Sequence, residues 1–195
     1  MKILRLLFLL VFVVTLISCG TIYNKGQVVS LIYQPVQNNT LKPEAKQIDI
    51  VFTEFSDART TWDICNTFNT DGEVDSTWTS SPGASDYIKN AIVKELSLRN
   101  IKVDSTATPG NPNILELKGF VRIFYAWPMG YNTQSAVNID LELLHNNYRL
   151  FYNSYYSDNV TKGCGPGLTQ ALRVTLQKAA DEIADFLTKE AYDDK

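Results

Sequence analysis

Three thiols, one imidazole, two pairs of nearby charged side chains and one glycine-rich turn are the groups in this chain with a capacity for chemistry. Cys19 closes an apolar run, and its thiolate is the only strong nucleophile nearby, so covalent modification is the chemistry it offers. Cys65 and Cys164 each fall in loop-like sequence. In an oxidising compartment they could form a disulfide, although sequence leaves open whether their loops meet. They are far apart, and His145 is the one histidine, so ligand spacing for a metal is missing. No G-x-S-x-G motif accompanies His145, which reads as a surface-turn residue. Asp140 and Glu142 invite comparison with the carboxylate pair of glycoside cleavage, but an i, i+2 spacing on a polar strand face favours two solvated acids. Asp57 and Arg59 could bind a partner's charged group, or Asp57 could cap a turn while Arg59 pairs with it. The run Gly163-Cys164-Gly165-Pro166-Gly167 offers backbone N–H groups at a helix start. Without a following Lys-Ser/Thr it reads as a flexible helix start and not as a phosphate loop. No catalytic residue, metal or cofactor is assigned, and the chain reads as a non-enzyme.

Cys19 has a distinctive context. Lys2 and Arg5 precede an apolar run from Leu6 to Ile17, which is the order of a secretory signal. The run is shorter than the about 20 residues that a membrane helix needs. Leu16-Ile17-Ser18-Cys19 resembles the lipobox of bacterial lipoproteins. The resemblance implies a diacylglycerol thioether on Cys19, cleavage after Ser18 and fatty acylation of the new N-terminus. Gly20 stands where an inner-membrane retention signal would place Asp, so the expected address is the periplasmic side of the outer membrane.

Charge supports an anchor over electrostatic attachment. The net charge is −3, and loss of residues 1–18, with Lys2 and Arg5, takes it to −5. Such a body has no basic face for nucleic acid and is mildly repelled by anionic lipid. Apolar residues at 45% and charged residues at 20% suit a domain with a core.

The elements follow from hydrophobic periodicity. Residues 1–18 are read as the signal peptide, 19–46 as the lipidated Cys and a tether with one extended piece at Val28–Tyr33, and 47–195 as a single domain. Gln47–Phe55 reads as a central strand, apolar on both faces. Residues 56–83 form a long polar stretch, with Asp57, Asp63, Asp71, Glu73 and Asp75 against Arg59 alone. A stretch of that length is functional, mobile or holds a hairpin. Ala84–Arg99 is a helix with Ser85 as cap and with Glu95 and Arg99 outside its apolar face. Ile101–Val103 begins a short strand.

Ile114–Trp127, Asn132–His145 and Arg149–Asp158 form a three-stranded antiparallel meander, turned at Pro128-Met129-Gly130 and Asn146-Asn147. In the first of these strands Val121, Ile123 and Tyr125 are placed on the core side. Leu168–Ala191 is the longest helix. The order predicts an α+β two-layer sandwich, a mostly antiparallel sheet with two helices on one face. Tyr125, Trp127, Tyr131, Tyr148, Phe151, Tyr152, Tyr155 and Tyr156 cluster on the meander. By alternation, Phe151 and Tyr155 oppose Tyr152 and Tyr156, so one pair is core and the other covers or exposes the sheet.

The chain resembles the YajG-type outer-membrane lipoproteins. The lipobox Cys19, a strand running into Asp57-Ala58-Arg59-Thr60, the helix exit Lys94–Val103 and the meander with its C-terminal helix carry the resemblance. Asn100-Ile101 stands in the family's Gly-aromatic place, and the acidic 56–83 segment is a further departure. The auxiliary lipoproteins of ABC-type lipid transporters, of PqiC type, share much of the pattern. The resemblance implies a non-enzymatic binding or scaffolding module with a protein partner in the envelope and a membrane held through lipid. The alternative is an accessory lipoprotein of a lipid-transport system. Asp57, Arg59, Trp127 and Tyr131 are the candidate contact residues.

Overall fold

The computed structural model describes residues 26–36, 48–68, 70–71, 73–104 and 114–193. Cys19, the signal segment and the lipobox lie outside them. Strands β1 (Gln27–Ser30), β2 (Ile48–Asp57), β3 (Cys65–Phe68) and β4 (Val74–Ser81) precede helix α1 (Ala84–Ser97). Then come β5 (Ile101–Asp104), β6 (Leu115–Met129), β7 (Asn132–His145), β8 (Tyr148–Thr161) and helix α2 (Cys164–Asp193).

The α+β class is as expected, and β6, β7 and β8 form the antiparallel meander. The rest of the sheet differs from the expectation. It is mixed, and it curls into a half-barrel. The α1 crossover returns the chain beside β2 in the same direction, as crossovers do, so β2 pairs in parallel with β5. β2 also pairs in parallel with β6, and β1 with β4.

Along one side of β6 two strands follow each other. β2 accompanies it from Leu115 to Val121, and β3 takes over at Ala126. The 56–83 segment thus holds the β3–β4 hairpin. The piece expected at Val28–Tyr33 is strand β1, docked on β4, and it leads into the buried Leu31 and Tyr33. This stretch therefore packs with the rest of the fold. Within it Val29, Leu31 and Tyr33 turn to the core and alternate with the exposed Val28 and Ile32, and Tyr33 reaches Glu95 of α1.

A register shift between Val121 and Ile123 corrects the face assignment of β6. Arg122 and Ile123 both face outward, Phe124 and Ala126 become fully buried, and Tyr125 and Trp127 turn to the outer face. A bulge adds one residue to one strand, so every later side chain changes face.

Both helices pack on the inner face. α1 buries Ile88, Ile92 and Leu96, and α2 buries Leu168, Leu172, Leu176 and Ile183. Fully burying each such side chain contributes about 1.5–3 kcal/mol. Gly83, not Ser85, precedes α1, and it makes no side-chain cap. Asn100 adopts φ of 63°, the left-handed conformation that Asn tolerates best after Gly. Asn100 thus makes the turn from α1 into β5 that a glycine would make most easily. Gly119 is needed for space, because the Phe55 ring occupies the place of its Cβ.

Candidate functional site

Asp57 and Arg59 sit where β2 leaves β6. Ala58 N–H donates to the Val121 carbonyl at 3.0 Å, and further along Ala126 N–H donates to the Ile64 carbonyl at 2.8 Å. Between these two bonds β6 has no strand neighbour on that side. Arg59 fills the interval, donating to the carbonyls of Phe124 at 2.9 Å and Asp63 at 3.2 Å. Asp57 receives the other edge of the guanidinium at 2.7 and 2.8 Å, and both side chains are over 90% buried. Burial raises the Asp57 carboxyl, but the hydrogen bonds and charge of Arg59 outweigh it and hold the group below its ordinary value. The pair joins two strands internally and presents no charge to solvent.

Cys65 and Cys164 form a disulfide, with Cα atoms 6.2 Å apart. It ties the first residue of β3 to the first residue of α2. The Gly163–Gly167 segment is a helix start, as expected. α2 begins at Cys164, Pro166 lies in its first turn, where Pro is tolerated, and Gly167 packs against the Ser135 and Thr161 side chains.

The carboxylates expected in solvent are paired. Asp140 is buried and accepts from Arg122 at 2.7 Å, while Glu142, half-buried, accepts from Arg149 at 2.5 Å. Arg122 and Arg149 lie over the rings of Phe120 and Tyr152. His145 ends β7 beside Asn146. Among the described residues no cluster of Cys, His, Asp or Glu could hold a metal, and no helix is long and apolar enough to cross a membrane.

The buried polar cluster was not legible in the sequence. Glu95, expected on the solvent side of α1, is fully buried. Tyr33 donates to it at 2.5 Å and Arg99 at 2.9 Å, and Arg99 also reaches Asp181 at 2.7 Å. Burial, then Glu95, push the Tyr33 phenol well above its ordinary range. A second cluster joins β8 to α2, with Glu182 accepting from Tyr155 at 3.0 Å and Asn153 at 2.7 Å. The signal for Glu95 was its place: it falls within the apolar stripe of Ile88, Ile92 and Leu96.

Tyr155 and Phe151 form the core pair on β8, Phe151 against Phe186. Tyr152 and Tyr156 are about half exposed on the outer face. Tyr125 stacks on Trp127 there, with centroids 6.2 Å apart. Tyr131, at the β6–β7 tip, is wholly exposed, with Met129 beside it in the turn. Trp127 and Tyr131 therefore sit on the outer surface, apart from the interior Asp57–Arg59 pair.

No protein-family model and no curated protein matches the sequence. The fold is similar to that of protein XCC0632 from Xanthomonas campestris, described with the family model DUF330. The TM-score is 0.57 at 16% identity, over 87% of this chain and 99% of that one. It is also similar to a solved uncharacterised protein, with a TM-score of 0.50 at 13% identity over 83% and 99%. Lipoprotein GNA1162 from Neisseria meningitidis matches more loosely, with a TM-score of 0.40 at 12% identity over 71% and 99%. At these identities the likeness is one of fold, carried by the first two.

Proposed function

We propose that the chain is a lipid-anchored protein of the bacterial envelope, held at the periplasmic side of the outer membrane through acyl chains on Cys19. Its folded body acts as a non-enzymatic binding or scaffolding module for a protein partner. The observation that carries the anchoring is the coincidence of Leu16-Ile17-Ser18-Cys19 with the end of the apolar run. The disulfide between Cys65 and Cys164 supports an oxidising compartment. The binding role is supported by a filled interior beside an outer sheet face bearing Tyr125, Trp127, Tyr152 and Tyr156. Exposed aromatic surface commonly marks a protein contact. A lipid-transport accessory would need an apolar groove between helix and sheet. The apolar stripe of α2 instead closes on β7 and β8, so this alternative gains no support.

Cys19→Ser tests the anchoring. It should give an unprocessed or soluble species without metabolic fatty-acid label, and unchanged labelling would refute the assignment. Crosslinking of the anchored protein in intact envelopes tests the binding role, with a protein adduct on the outer face of β6–β8 as the expected result.

A further inference from the structure

The register of the sheet sets where an anchor on Cys19 would hold the domain. One lateral row runs through Gln27, Trp78, Cys65, Ala126, Ser135 and Asn159. β1 runs parallel to β4, which is antiparallel to β3, and β3 is parallel to β6. The chain therefore enters β1 from the same side of this row toward which β6 runs on to its tip. Three residues past the row, β6 ends at Met129, and Tyr131 caps the turn to β7. Met129 is 53% exposed and Tyr131 100%. Phe68, three residues past the row on β3, is 48% exposed.

Distance makes the relation specific. Gln27 is three strand spacings from β6, about 14 Å, and the tip is about 10 Å beyond the row, so tip and Gln27 are under about 20 Å apart. Cys19 precedes Gln27 by eight positions, a reach of at most about 26 Å. An acylated Cys19 and the tip thus reach the same surface. The Asn146–Asn147 turn, with Tyr148 78% exposed, lies at the other end of β7, about 40 Å from the tip.

We infer that the β6–β7 tip is a second, reversible membrane contact, with Met129 and Tyr131 seated in the headgroup layer of a lipid bilayer. The inference rests on the anchoring proposed above. Tyr suits that layer because its ring is apolar and its hydroxyl is polar, and Met adds a flexible apolar stem. Two side chains bind lipid weakly alone, but an anchor beside them keeps their effective concentration high. Asp71 and Glu73 lie in the β3–β4 turn at the same end, which selects a zwitterionic lipid surface over an anionic one.

The test uses the purified full chain in vesicles of phosphatidylethanolamine and phosphatidylcholine. Photoreactive p-benzoylphenylalanine replaces Tyr131 in one sample and Tyr148 in another, and mass spectrometry reads both the phospholipid adduct and the Cys19 acyl groups. We expect at least tenfold more lipid adduct from position 131 than from 148. Acylated Cys19 with equal adducts, or with position 148 ahead, overturns the tip contact and leaves the anchoring intact. Bare Cys19 with no adduct overturns both. Bare Cys19 with adduct at 131 overturns only the anchoring.

Discussion

Arg59 donates to the Phe124 carbonyl at 2.9 Å across 65 residues of sequence, and so completes the β6 ladder between the end of β2 and the start of β3. Removing the guanidinium leaves the Phe124 carbonyl and the Asp57 carboxylate buried without their partner. Arg59→Ala should cost about 3–5 kcal/mol, the range for breaking a buried ion pair. Arg59→Lys should recover little, because a single ammonium cannot meet the Asp57 carboxylate and two carbonyls in one plane. Urea denaturation of the three proteins checks this. A Lys variant as stable as wild type would contradict the role.

The disulfide closes a long loop, since Cys65 and Cys164 are 99 residues apart. Cross-linking limits the unfolded chain, and loss of such a bond typically costs about 2–5 kcal/mol. The Cys65→Ala/Cys164→Ala pair should lower the denaturation midpoint by that amount, and reductant should lower the wild type but not the double variant.

Gly119→Ala should destabilise by about 1–3 kcal/mol, because the new methyl meets the Phe55 ring. Combining it with Phe55→Leu should recover part of the loss. A double-mutant cycle with no coupling between the two positions would show that the contact is not the cause.

Two pH limbs follow from the shifted groups. The folded Asp57 carboxyl lies below its ordinary value, so its contribution is present above about pH 4 and is lost as pH falls through the lower folded value. Asp57→Asn should flatten this acid limb. Burial, then carboxylate neighbours, raise the Tyr33 and Tyr155 phenols. Their contribution is intact below about pH 10 and declines above it, as the unfolded chain ionises first. Tyr33→Phe should reduce the alkaline slope, read from unfolding free energies at successive pH values.

The meander and both helices were legible because their periods of 2 and 3.6 hold over ten residues or more. The faces of β6 beyond Val121 were not, since no sequence signal marks the bulge at Arg122, and the displaced alternation hides Phe124 behind Ile123 and Tyr125. The parallel partners of β2 were illegible for another reason: pairing direction depends on where α1 returns the chain, which is a tertiary outcome. Asp57 and Arg59 were found by their spacing. Their burial was not, because it comes from Phe124 and Asp63, groups that sequence cannot place beside them. Glu95 was half legible: it stands within the apolar stripe of α1 with Arg99 one turn on, but its other partner, Tyr33, lies 62 residues away in the sequence, where no periodicity could place it.

β1 is the outermost strand of the β3–β4 wing and also the stretch through which the chain enters the fold. Tension on the N-terminus therefore falls first on its four-residue ladder and then on the Tyr33–Glu95 clasp behind it. If both yield, the load passes along the chain to β2, which is held on both sides by β5 and β6, so the weak outer strand gives way before the central sheet is pulled on.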